Sequence, residues 1–513
     1  MKTNQKSLLD RALNFVEIVG NRLPDPITLF FLLSIAVVII SAIANSLNLS
    51  VVHPGTKETV TAVSLLTPDG IRRIITEAVS NFVNFPPLGT VLVAMLGVGV
   101  AEATGLLSAF LRQGVMLAPA AIITPAIVFA GIMSNLASDA GYVVLTPLGA
   151  LIFLAFGRHP IAGLAAAFAG VSGGYSANLL IGALDPLLAG ISEGSAQLID
   201  PEYTVNAAAN YYFMAASTFL ITLIGWYVTD KIVEPRLGEF QGDLGATEAS
   251  GDRNVAISEL TTVEKRGLKW AGLSILALTA FFMVMLLPPQ GILRDPENFT
   301  IIPSPFLDGI VPIIMLGFVI PGIVYGKVAG TIRNDKDVAR AFGDSMSQMG
   351  YYIALAFFAA QFVAYFGWTN LGLILAVKGA EFLETTGFTG IPLLIVFILV
   401  SGFINLFIGS ASAKWNIMAP VFVPLLMLIG YSPEFTQLAY RIGDSTTNII
   451  TPLMPYFPVV VAMGSKYDRN WGIGTLIATM LPYSLAFLIG WTLFFILWFT
   501  LGIPLGAGAT IRI

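Results

Sequence analysis

The chain has 513 residues, 56% of them hydrophobic and 11% charged, with a formal net charge of −5, a mean hydropathy of +0.81 and no cysteine. A soluble domain carries about 25% charged residues, so this composition, with repeated apolar runs of about 20 residues, means an all-α polytopic membrane protein. It excludes disulfides, thiolate catalysis and cysteine-ligated metals, and it offers no basic patch for nucleic acid.

Residues 1–26 lack the pattern of a signal peptide and read as a cytoplasmic amphipathic segment lying against the membrane. The runs 27–46, 86–110, 160–182, 210–230, 268–288, 309–326, 347–366, 433–460 and 474–503 are long enough to span a bilayer. Two more, 115–157 and 388–430, are interrupted by "SNLASDAG" (Ser134 to Gly141) and "GSASAKW" (Gly409 to Trp415). Each arm is short for a comfortable crossing, so each stretch reads as two transmembrane helices or as a re-entrant hairpin whose tip stops at mid-membrane. Two histidines, His53 and His159, sit near span ends and read as interfacial. Residues 231–266 form a linker, Gly- and acid-rich in the middle, between a first half at 27–230 and a second at 267–513.

Lys and Arg mark cytoplasmic loops. Placing the basic clusters of the N-terminus, 231–266, 327–340 and Lys466/Arg469 on one side is satisfied by nine spans plus two hairpins, the first entering from the cytoplasm and the second from outside. Counting each hairpin as a crossing pair keeps the same parity, so charge sets orientation and not re-entrance. Pro147, Gly157, Pro160, Gly170 and Ser172 recur as Pro420, Gly430, Pro433, Gly443 and Ser445 at a constant offset of 273, which also sets Tyr142 against Trp415. Five expected spans separate the hairpins, so the copies point oppositely. That is an inverted-topology repeat, an architecture of secondary transporters.

The polar load falls in the segments after the hairpins, 160–190 and 433–460, which read as broken helices. In the second, Gly443 is expected to loosen the backbone, Ser445, Thr446, Thr447 and Asn448 to satisfy freed amides, and Pro452 and Pro455 to stop regular continuation. Such a break can coordinate a small cation or an anionic group. Arg441 and Asp444, three apart, are expected to pair, for transport or merely to lock packing. Asp185 in "LIGALDPLLAG" has no cation in its own segment, which suits a proton carrier or cation ligand; the alternative is a cap for a helix starting at Pro186. Ser134, Asn135, Ser138 and Asp139 at one tip face Ser410, Ser412, Lys414, Trp415 and Asn416 at the other. Trp415 offers a stacking surface for an aromatic solute or an interfacial anchor. Glu102 reads as a structural acid at least as well as a functional one.

With these motifs, the chain resembles the AbgT family, the p-aminobenzoyl-glutamate transporters, over its whole length. The resemblance implies nine transmembrane helices, two re-entrant hairpins and a homodimer in a bacterial inner membrane. It implies import of p-aminobenzoyl-glutamate, or export of p-aminobenzoate-like compounds including sulfonamide antimetabolites. The family's substrate-binding positions fall on Asp185 in "ALDP", Ser412 and Trp415 in "SAKW", and Pro433, Arg441 and Asp444 in "YSPEFTQLAYRIGDS".

The expectation is an ion-coupled secondary transporter needing no cofactor. The coupling ion is H⁺ or Na⁺, with Asp185, Asp444, Ser445, Thr446, Asn448, Asn135 and Ser134 as candidate ion ligands. A sodium-coupled carrier of another organic anion, such as a dicarboxylate, is the alternative. An intramembrane enzyme built on Asp139, Asp185 or Asp444 and a pore are weaker readings.

Overall fold

The computed structural model describes residues 24–52, 57–116, 119, 122–137, 140–240, 260–301, 304–454, 456–468 and 471–513. Residues 1–23 of the expected amphipathic segment, His53, Ser138, Asp139, Pro455, Arg469 and most of the linker lie outside the described residues.

Among the described residues the chain is mostly helical, with a small antiparallel pair of strands, Ser50–Val52 and Thr59–Thr61. Seven helices are long and apolar enough to cross a membrane: Pro26–Ser46, Tyr211–Leu237, Thr262–Leu286, Ile310–Ala329, Gly350–Trp368, Ala411–Leu428 and Ile473–Leu501. A further run, expected as one span over 86–110, is bent by 68° between Leu88–Ala103 and Leu106–Gln113. Gly105 supplies the bend, at φ +84°, where a side chain would be strained.

Several expected boundaries shift. The stretch 367–387, outside the expected spans and hairpins, holds the helix Leu371–Thr386, and the basic stretch 327–340 leads into the amphipathic helix Asp335–Gln348. Both lack the unbroken apolar run by which a span is recognised. The expected spans 160–182 and 433–460 are shorter helices followed by irregular backbone. Pro160–Phe168 passes into a π turn at Ala169–Gly173, and regular helix resumes only at Leu184. Pro433–Asn448 is regular throughout, and the chain is irregular until Phe457–Gly464.

Each of these helices starts alike. A proline occupies the first turn, where its missing N–H costs nothing, and the residue before it caps the end: His159 Nδ1 accepts from Ile161 N, and Ser432 Oγ from Phe435 N. The break in the second lies after Asn448, not at Gly443. The residues 445–448 stay helical, and the hydroxyls of Thr446 and Thr447 bond back to the carbonyls of Ile442 and Gly443 instead of satisfying freed amides. Gly443 has another use. A Cβ there would lie 2.3 Å from the carbonyl oxygen of Ile398, and a Cβ on Gly170 would lie 2.3 Å from that of Val128. Each glycine lets its helix press against the first arm of its hairpin.

Those arms are Ile123–Met133 and Gly390–Asn405; the second arms are Ala140–Ala155 and Ala411–Leu428, the last of which, against the expectation of short arms, is long and apolar enough to cross a membrane. Hairpins, broken helices, Tyr211–Val228 and Ile473–Leu501 share one large apolar core. Phe30, Phe362 and Phe366 centre a second core, and Val98, Ala271 and Tyr325 belong to a third. Thr262–Leu286, by contrast, has only 6% of its span buried, and presents an apolar side of the kind a bilayer covers.

Candidate functional site

All 16 residues of Pro433–Asn448 are buried, though Arg441, Asp444, Glu434 and seven side chains bearing a hydroxyl or an amide are among them. A helix this polar is stable at depth only if its groups are partnered inside the protein. Here they are, across elements distant in sequence.

The expected Arg441–Asp444 pair is not formed. Arg441 Nη2 donates to Asp185 Oδ1 at 2.7 Å, with the side chains 2% and 4% exposed. Asp185 therefore does have a cation, supplied by the other half. Its second oxygen accepts from the Gly182 amide at 2.8 Å and closes the turn that starts Leu184–Ala196. Asp444 is taken by Lys414, whose Nζ lies 2.6 Å from Asp444 Oδ1 and 2.6 Å from Asn405 Oδ1. Spacing of three puts Arg441 and Asp444 on one face, but each finds a closer partner across the core.

Asn405 is the hub of the second break. Its Nδ2 donates to the Asp444 carbonyl, Thr447 Oγ1 and Asn448 Oδ1 at 2.7 to 2.9 Å. Asn448 Nδ2 reaches Asp444 Oδ2 at 3.4 Å. The hydroxyl run is mostly committed within the protein: Ser445 Oγ accepts from Ser176 N at 3.1 Å, and Thr446 Oγ1 donates to Ile442 O. In the first break, Ser134 donates to Gly131 O and Asn135 Nδ2 to Ile132 O, while Asn135 Oδ1 and Ser176 Oγ are buried with no hydrogen-bond partner. Among the described residues no cluster of His, Asp or Glu could hold a metal, so a sodium ion would depend on such neutral oxygens.

Trp415 stands at the start of the second turn of the second arm, fully buried. It stacks on Tyr440 with ring centroids 4.4 Å apart and planes at 28°, and its Nε1 donates to Ser192 Oγ at 3.0 Å. Ser192 donates to Gln437, and Gln437 to Asn210. The stacking surface expected for a solute thus has one face and its only donor engaged internally. Its counterpart Tyr142 also stacks, on Tyr456 at 4.8 Å. Ser412 is partly exposed, its Oγ 3.4 Å from Ser410 Oγ. Pro433 opens its helix, and half-buried Glu102 sits near the end of Pro86–Ala103.

Sequence reading placed Asp185, Arg441, Asp444 and Trp415 in the site but missed what joins them. Asn405, Ser192, Gln437 and Asn210 carried no motif. Lys414 did carry a signal: it is the lone lysine of a long apolar stretch, which by itself marks a partnered, functional position.

At the far end of the first hairpin, Arg158 binds Glu234 with two nitrogens, Asp230 at 2.6 Å and Thr124 Oγ1 at 2.7 Å. Beside it, burial holds His159 below its ordinary pKa, more than Glu234 and Asp468 raise it.

Broken helices, paired hairpins and buried ion pairs joining distant segments are features of membrane transporters. The profile of the AbgT putative transporter family matches residues 11–513, and the chain belongs to that family. The p-aminobenzoyl-glutamate transport protein of Escherichia coli (strain K12) is 40% identical over 494 residues, 96% of each chain. The crystal structure of the Alcanivorax borkumensis YdaH transporter superposes with a TM-score of 0.88 at 47% identity, over 94% of this chain and all of that one. Neisseria gonorrhoeae MtrF, described with a class of antimetabolite efflux pumps, gives 0.92 at 52%, over 97% of this chain and all of that one. The chain is a transporter and not an enzyme.

Proposed function

We propose that this chain is an ion-coupled secondary transporter of p-aminobenzoyl-glutamate or p-aminobenzoate-like aromatic carboxylates, sulfonamide antimetabolites included. It works by alternating access, as a homodimer in a bacterial inner membrane with its N-terminus in the cytoplasm. The E. coli relative carries the substrate argument and the gonococcal neighbour the antimetabolite one.

The observation that carries the mechanism is the buried Arg441–Asp185 pair. Arg441 is a planar donor suited to carboxylates, and its Nε has no partner. An anionic solute that takes Arg441 leaves Asp185 buried without its counter-ion, a costly state that a proton relieves. Solute and proton then bind together, which is proton symport. If sodium is the coupling ion instead, Asn135 Oδ1, Ser176 Oγ and, at the second tip, Asn416 Oδ1 are buried oxygens with capacity to spare, and Ser134, Ser445, Thr446 and Asn448 are the further candidates. The engagement of Trp415 by Tyr440 and Ser192 removes one reason to insist on an aromatic solute, and so favours keeping the alternative, a sodium-coupled carrier of another organic anion such as a dicarboxylate.

The test is counterflow and accumulation of labelled p-aminobenzoyl-glutamate and p-aminobenzoate in proteoliposomes, under separately imposed proton and sodium gradients. Symport predicts accumulation driven by an inward proton gradient and its loss, with exchange retained, in Asp185→Asn. Accumulation driven by sodium alone would transfer the coupling to the neutral oxygens, and uptake of neither solute would leave the dicarboxylate reading.

A further inference from the structure

Lys414 is buried to 0% exposure, in the first turn of the second hairpin's second arm. Its ammonium touches Asp444 Oδ1 and Asn405 Oδ1, each at 2.6 Å, and lies 5.1 Å from the centroid of the Tyr440 ring. A carboxylate, an amide oxygen and an aromatic face are what a dehydrated monovalent cation would be given. Lysine presents its charge as a compact point on a flexible stem, so it can stand where a free ion would.

The first half offers the comparison. Gly170 meets Val128 as Gly443 meets Ile398, and Asn135 follows Val128 by the same seven residues as Asn405 follows Ile398. The two asparagines therefore hold matching places at the ends of the first arms. Asn405 Oδ1 receives the ammonium, whereas Asn135 Oδ1 is buried without a partner. The register that sets Tyr142 against Trp415 sets Gly141 against Lys414 and Val171 against Asp444. A Cβ on Gly141 would fall 2.0 Å from Ser134 Oγ, so no lysine fits there. The halves share a shape, but only the second carries its own cation.

We propose that Asn405 and Asp444 form a monovalent-cation site, filled in this chain by its own Lys414 ammonium. The tethered charge ties both arms of the second hairpin to Pro433–Asn448 without a mobile ion. Removing it opens the site to free sodium. The inference goes beyond the transport reading and does not depend on the solute.

The experiment compares full-length wild type, Lys414→Ala and the double variant Lys414→Ala/Asp444→Asn, purified in detergent. Thermal unfolding is followed in NaCl and in choline chloride of equal ionic strength. Lys414→Ala should show a Tm that rises saturably with sodium and not with choline. The wild type should show no difference between the salts, and the double variant should lose the sodium response. A Lys414→Ala protein indifferent to sodium overturns the proposal. So does a sodium response as large in the wild type, or failure to recover Lys414→Ala in NaCl. No solute enters the measurement, so failure of the transport reading leaves the result standing.

Discussion

Arg441 on one broken helix and Asp185 at the start of Leu184–Ala196 meet at 2.7 Å, 256 residues apart in the chain, and so join the two halves by charge. Removing one member of a buried pair strands the other, at about 3–5 kcal/mol. Arg441→Ala should therefore unfold at markedly lower temperature than wild type. Adding Asp185→Asn should recover much of the loss. Adding Asp444→Ala should not, because Asp444 belongs to Lys414 and its removal strands a second charge. Thermal unfolding of the three proteins in detergent decides between the pairings; rescue by Asp444→Ala would restore the local pair.

The buried indole of Trp415 makes stability and function move together. Trp415→Ala should cost about 3–5 kcal/mol, as large core truncations do, and lose transport with it. Trp415→Phe keeps a ring on Tyr440 and leaves the Ser192–Gln437 bond intact, forfeiting one hydrogen bond at about 1 kcal/mol. Its transport should stay near wild type. Solute affinity measured beside Tm separates the roles: a Trp415→Ala protein with wild-type Tm and weakened binding would return the ring to the solute.

Much of this was legible in the sequence, for identifiable reasons. Hairpin arms and helix starts were marked by the recurring Pro, Gly and Ser, and Asp185 and Arg441 by their cost in an apolar setting. Gly443 was misread because a glycine in a polar run suits a flexible joint as well as a close crossing. Only the Ile398 carbonyl, 45 residues earlier, decides between them. The ion pairs were misassigned because spacing along a helix reports which residues share a face, not what stands opposite that face.

The two crossings give a matched test. Gly170→Ala and Gly443→Ala each place a methyl group against a backbone carbonyl that cannot swing aside. Both should be destabilised by about 1–3 kcal/mol or more, the range for overpacking, and by similar amounts. Alanine at Gly157 meets no atom within 4 Å but sits at φ +70°. It should lose only about 1 kcal/mol from backbone strain. Unfolding midpoints of the three variants check the order.

His159 gives a pH dependence. Its neutral Nδ1 accepts the Ile161 N–H at 3.3 Å, and burial holds its pKa below the ordinary 6.5. A depressed histidine contributes stability above about pH 6.5 and loses it as the pH falls below that value. Tm should therefore drop as the pH is lowered from 7.5 to 5.5, with a smaller drop in His159→Asn, which keeps a capping oxygen without titrating there. Equal pH profiles would remove His159 as the source.

The two buried pairs have an electrical consequence. Asp185 and Asp444 cancel Arg441 and Lys414, so the four formal charges sum to zero. A neutral cluster feels no net force from the transmembrane voltage, which acts on each uncompensated elementary charge with about 2.3 kcal/mol per 100 mV. On the alternating-access cycle proposed above, the unloaded protein would turn these groups from one side of the bilayer to the other without working against the field. On the same proposal, an anion on Arg441 would bring the voltage into play, and a proton on Asp185 would mask one unit of that charge again.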